Sequence, residues 1–160
     1  MPPGFHLTDD PDPERLRQLG SALAGFNTAD VGPSGHRPLV LFLADDQGVL
    51  LAGLSGYTAW GWLYIQWLWV AETMRGQGLA GQMLEAAEAE AARRGCHGAW
   101  IDTFSPTALR TYQKAGYTAF GALDGFPQGR VRSFLQKALA PPPVSEEDGG
   151  QSHGGASKAG

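Results

Sequence analysis

At 160 residues and 42% apolar content the chain suits one domain with a real core. Its formal charge of −4 provides no basic stripe to neutralise phosphates, which argues against a nucleic-acid partner. No apolar run approaches the ~20 residues of a membrane span, and Met1–His6 lacks a basic segment followed by a hydrophobic one. The lone Cys96 excludes an internal disulfide or a thiolate metal cluster, so a cytoplasmic enzyme without a metal is expected.

In chain order, Phe5–Thr8 reads as a short first strand. Pro13 opens a helical pattern with Leu16, Leu19, Leu23 and Phe26 near one face. Pro38–Ala44 and Val49–Tyr57 are strand-like runs joined by Asp45-Asp46-Gln47-Gly48, a hairpin turn. Trp62–Val70 is a strand with little polar interruption except Gln66, which predicts cover on both faces. Gly78–Gly95 carries a helical stripe of Leu79, Met83, Leu84, Ala87 and Ala91, with Glu90 and Arg94 paired on the wet side. Ala99–Thr103 is a strand, and Cys96 leads into it as a small residue. Ser105-Pro106 supplies an N-cap and a first-turn proline for a helix that Gly116 ends. Ala119–Leu123 and Val131–Lys137 are two last strands around the loop Asp124–Arg130. From Pro141 the composition turns to Pro, Gly, Ser and Ala, which predicts a folded domain over 1–140 and a disordered tail over 141–160. The order implies a mixed α+β sheet with one parallel crossover.

The segment Arg75-Gly76-Gln77-Gly78-Leu79-Ala80-Gly81 lies between a strand and a helix, where backbone N–H groups can gather around phosphate oxygens. Two fingerprints fit it. Gly76-x-Gly78-x-x-Gly81 matches a dinucleotide loop, with Asp102 placed as a ribose-binding carboxylate. Against this, Ala71–Arg75 separates strand from glycines, only one crossover is evident, and too little chain follows Gly81 for a second nucleotide-binding half.

Arg75, Gly78 and Ala80 also match R/Q-x-x-G-x-G/A, and Ser105, Ala108, Tyr112, Gly116 and Tyr117 match N-x-x-A-x-x-x-Y-x-x-x-G-F/Y except at its first position. With both motifs in order, the chain from Trp62 to about Lys137 resembles the GNAT N-acetyltransferase superfamily. The resemblance implies a three-layer α+β fold. Its central, mostly antiparallel sheet would carry a splayed parallel pair, with helices on both faces.

That likeness implies acetyl-CoA as co-substrate, its diphosphate held by main-chain N–H groups in Gly76, Gln77, Gly78, Leu79, Ala80 and Gly81, with charge from Arg75. It implies that main-chain groups of Leu68, Trp69 and Val70 meet the pantetheine arm, and that a backbone N–H near Val70 faces the developing oxyanion. Tyr112 matches the general acid that protonates the departing thiolate. Ser105 in place of Asn puts a side-chain contact from that position in doubt. The base is open between Asp102, Glu72 and a water oriented by Gln66; Asp102 also suits a cap for the helix at Pro106. Most of Trp60, Trp62, Trp67, Trp69 and Trp100 should pack, with one or two lining an acceptor cleft that the loop Asp124–Arg130 shapes. The acceptor is a small-molecule or peptide amine. A non-catalytic acyl-CoA sensor and a transferase of another acyl group are the rivals, and the exposed late strands suit a homodimer.

Overall fold

The computed structural model describes residues 4–141. The expected tail lies, beyond Pro141, outside the described residues. The elements are α1 (Pro13–Val31), β1 (Arg37–Ala44), β2 (Leu50–Ala59), β3 (Trp62–Val70), α2 (Leu79–Arg93), β4 (Gly98–Thr103), α3 (Pro106–Lys114), β5 (Thr118–Asp124) and β6 (Val131–Ala138). One six-stranded sheet runs β1-β2-β3-β4-β6-β5, antiparallel except for the parallel pair β3·β4. This is the mixed α+β architecture the sequence implies.

Helix ends follow local chemistry. Asp12 caps α1 and Ser105 caps α3 by accepting from the Ala108 N–H at 3.2 Å. Gly95 and Gly116, at φ 85° and 95°, stop the next two helices. Arg94 does more than pair with Glu90 on a wet face. Its guanidinium also donates to the carbonyls of Arg37 and Pro38 and to Thr58 Oγ1, pinning α2 to the start of β1.

The core lies between α2, α3 and one face of the sheet. Leu39, Leu54, Leu63, Ile65, Ile101 and Leu135 from the strands meet Leu84, Ala87, Ala91 and Tyr112 from the helices. Glu88 is buried there with its charge satisfied: Tyr117 donates at 2.9 Å and Lys137 Nζ at 2.7 Å.

A bulge sets up the cleft. Ser55 pairs with Trp67 but Gly56 pairs with Ile65, leaving Gln66 as the extra residue. Only glycine fits opposite it, because a Cβ on Gly56 would collide with the Tyr64 carbonyl. The parallel pairing of β3 with β4 also stops at Ile65↔Ile101, while β2·β3 pairing continues to Val70. The bulge turns the last part of β3 away from β4, and the sheet opens.

Three expectations need correction at the N-terminus and along β3. Phe5–Thr8 forms no strand, since no partner edge holds it. The helix at Pro13 forms, but Leu16, Leu19, Leu23 and Phe26 are all exposed and no residue of α1 is buried. Among the described residues no helix lies over the second sheet face, so they cover β3 on one side only, with Gln66, Trp67 and Trp69 exposed. Sequence periodicity reports that a stripe is apolar and says nothing of what covers it.

Candidate active site

A cavity of about 800 Å³ occupies the opening between β3 and β4. At one end lie Arg75 and Ala80, where α2 begins; Tyr112 and Thr111 line its α3 wall; Asp102, Tyr64 and Arg132 lie on the sheet side.

The α2 terminus differs from the other two. Its N-cap is Gly78, in a left-handed conformation at φ 75°, with no side-chain cap and no acid in the first turn. The first intrahelical bond runs from Gln82 N–H to the Gly78 carbonyl, so the N–H groups of Leu79, Ala80 and Gly81 precede it in the ladder. Such an end favours an anion. Gly76 has positive φ as well, and no atom lies within 4 Å of where its Cβ would be. Gly81 is equally open. A dinucleotide fingerprint needs its third glycine for close helix–strand packing, so that reading loses its physical basis here. A short 3₁₀ turn, Glu72–Met74, fills the connector. Arg75 Nε donates to the Val70 carbonyl at 3.3 Å, which ties the exposed guanidinium to the strand end.

Leu68, Trp69 and Val70 line the cavity, but their main chains do not face one way. Ala71 N–H donates to the Leu51 carbonyl, so by strand alternation Trp69 also turns its backbone to β2. The main-chain groups of Leu68 and Val70 point into the opening. Trp69 contributes its exposed ring instead.

Tyr112 is buried, and burial with the nearby Asp102 charge pushes its phenol up to about 12. It stays protonated at neutral pH. The neighbouring Tyr117 is committed to Glu88.

Asp102 does not cap α3, a place Ser105 takes. Its Oδ2 accepts from Arg132 at 2.7 Å and its Oδ1 from the Tyr64 hydroxyl at 3.4 Å. Tyr64 stacks on Trp100 at 3.9 Å, and burial, with Asp102 next in effect, raises its phenol. Arg132 lies 4.1 Å from the Phe126 ring and 5.0 Å from Phe104, so Phe126 meets a side chain that lines the cavity, while no residue of the loop Asp124–Arg130 is itself in the lining. Gln66 lines the cavity, whereas Glu72 is an exposed residue outside its lining. Sequence reasoning missed Tyr64 and Arg132. Arg132 joins Asp102 only through the β4·β6 register, which no local pattern encodes. No group of three metal-ligating side chains occurs among the described residues, and none of their helices is long and apolar enough to cross a membrane.

The model of the acetyltransferase (GNAT) family matches residues 6–117. The chain is similar to an acetyltransferase of Agrobacterium fabrum, 44% identical over 133 residues, 83% of this chain and 97% of the relative. It is also similar to a blasticidin-S acetyltransferase of Streptomyces morookaense, 34% identical over 107 residues, 64% of this chain and 79% of that one. A crystal structure of an acetyltransferase from Agrobacterium tumefaciens superposes with a TM-score of 0.81 at 43% identity, over 84% of this chain and 98% of that one.

Proposed function

This chain belongs to the acetyltransferase (GNAT) family, and on that premise we propose that it moves an acetyl group from acetyl-CoA to a primary amine by direct attack in a ternary complex. One observation carries the reading: a single cavity joins the uncapped start of α2, the opened edge of β3 and the buried Tyr112. In this reading the N–H groups of Gly76–Gly81 take the diphosphate, and Arg75 adds positive charge beside it. Leu68 and Val70 offer the main-chain partners that extend the opened edge of β3 into the pantetheine arm.

The donor supplies the thioester carbonyl that the amine attacks. Val70 N–H stands where charge develops on that oxygen. Tyr112 donates its hydroxyl proton toward the departing sulfur. A phenol near 12 gives up a full proton to an ordinary thiolate only against a gradient on the order of 5 kcal/mol, so a hydrogen bond that tightens with the developing charge is its main contribution. In balance, the proton that leaves the attacking nitrogen passes to solvent through the group that receives it, and the thiolate held by the Tyr112 hydroxyl takes one proton from solvent, so Tyr112 ends protonated. Asp102 lines the same cavity as Tyr112 while Glu72 does not, which favours Asp102, directly or through a water on Gln66, as the group that receives the amine proton. Trp67, Trp69 and the Arg132 cluster form the acceptor end, and a small-molecule amine agrees with the substrate in the name of the 34% identical relative.

Parallel titration with acetyl-CoA and NADH tests the donor; saturable NADH binding with none for acetyl-CoA sinks the reading. A panel of amines, followed by release of free CoA thiol, then identifies the acceptor. Acetyl-CoA binding without turnover on any amine favours the sensor.

A further inference from the structure

Among the described residues, two apolar surfaces of the chain have no partner. The first is α1, whose residues Leu16, Leu19, Leu23 and Phe26 are 53–70% exposed. Most helical stability in proteins comes from packing an apolar face, and this helix buries none of its residues. The second surface is the bare face of the sheet. There Val40 and Phe42 on β1 pair with Ser55 and Gly53 on β2, which pair in turn with Trp67 and Trp69 on β3. Small residues thus form the floor of a trough walled by four large apolar ones, of which Phe42 is 76% and Trp67 68% exposed.

We infer that these surfaces cover each other between two copies of the chain, α1 of each lying in the β1–β3 trough of the other. The tether at the end of α1 favours exchange over folding back. Trp60 Nε1 donates to the Gly32 carbonyl at 3.3 Å and Trp60 N–H to the Ser34 carbonyl at 2.7 Å, fixing the linker at the β2–β3 turn in the conformation that holds α1 clear of its own sheet. The exchange is isologous and closes after two copies. Covering both helices and both troughs removes on the order of 2,000 Å² from water, within the range of stable interfaces. Pairing α1 with α1 instead would leave both troughs bare.

Trp67 and Trp69 also line the cavity, so the second copy's helix forms part of the wall at its acceptor end. That consequence rests on the acetyltransfer reading; the interface does not.

Light scattering on the full chain at tens of micromolar reads the assembly without reference to activity. The expected mass is twice 17.0 kDa. Leu19→Asp/Leu23→Asp and, separately, Phe42→Asp should each give a monomer with unchanged circular dichroism, because none of these side chains is buried. Leu23→Cys and Phe42→Cys chains, each carrying Cys96→Ala, should join on mixing and oxidation. A monomeric parent protein, or a dimer that survives both variants, overturns the inference. A dimer lost only in the helix variant assigns the contact to α1 against α1 and overturns the trough.

Discussion

The Asp102 carboxylate accepts a 2.7 Å bond from Arg132 across the β4·β6 ladder, inside the cavity and beside the proposed path of the amine. Both side chains are mostly buried, at 15% and 20% exposure. Asp102→Asn leaves the guanidinium with its aromatic neighbours and no counter-charge. Stability should fall by about 1–2 kcal/mol, less than for a fully buried pair because water still reaches this one. The kcat/KM for the amine should fall at least about tenfold while acetyl-CoA affinity holds, since the diphosphate site lies at the other end. Thermal unfolding and a KM-against-kcat comparison read the two effects. Undiminished kcat/KM would make the pair a strut.

Tyr112→Phe removes one hydroxyl from a buried ring and keeps the packing. Turnover should drop by about 10² while the Kd for acetyl-CoA changes little. The phenol lies near 12, so ionisation of Tyr112 cannot produce an alkaline fall in kcat below about pH 11. A pH profile with a limb near 10 that disappears in the Phe variant would contradict this assignment.

Much of this molecule is legible from single residues. Gly95, Gly116 and Ser105-Pro106 mark helix ends because capping is local chemistry, and Trp62–Val70 is bounded by its own apolar run. The glycine loop and Tyr112 could be read for the same reason: their spacing lies within one segment. Other features depend on register. The bulge at Gln66 that opens the sheet exists only because Gly56 faces it from β2. Arg132 reaches Asp102 from 30 residues away. Trp69 belongs to the cleft by position, yet its backbone direction follows from which pairs of the β2·β3 ladder are hydrogen-bonded. The apolar stripe of α1 was visible, and its exposure was not, because a stripe does not name its partner.

Two buried phenols make the fold sensitive to alkali. Tyr112 is pushed up to about 12, and Tyr117 is raised further by burial, the Glu88 charge and their hydrogen bond. Above about pH 10 the unfolded chain releases these protons while the native state holds them. The unfolded state then binds fewer protons, so stability is full below about pH 10 and falls as pH rises. The urea midpoint should therefore drop between pH 9 and pH 11. Tyr117→Phe should be less stable at pH 8 by about 1 kcal/mol, through the lost bond to Glu88, yet show a shallower drop. A parallel slope in that variant would place the alkaline sensitivity elsewhere.

Gly81 and Gly78 lie three residues apart and should answer substitution with opposite signs. A Cβ on Gly81 meets no atom within 4 Å and its φ is not positive, whereas Gly78 holds φ +75°. Gly81→Ala lowers the backbone freedom lost on folding and adds helix propensity, a gain of about 0.5–1 kcal/mol. For a chain of this size that raises Tm by roughly 1–4 °C. Gly78→Ala forces a side chain into the left-handed region and should lose about 1–2 kcal/mol. Differential scanning calorimetry of both variants reads the contrast without any ligand. Were the loop a dinucleotide fingerprint, its third glycine would be packed against the sheet and Gly81→Ala would lower Tm. A rise at Gly81 with a fall at Gly78 describes a loop whose glycines set backbone direction and leave open space for an anion at the start of α2.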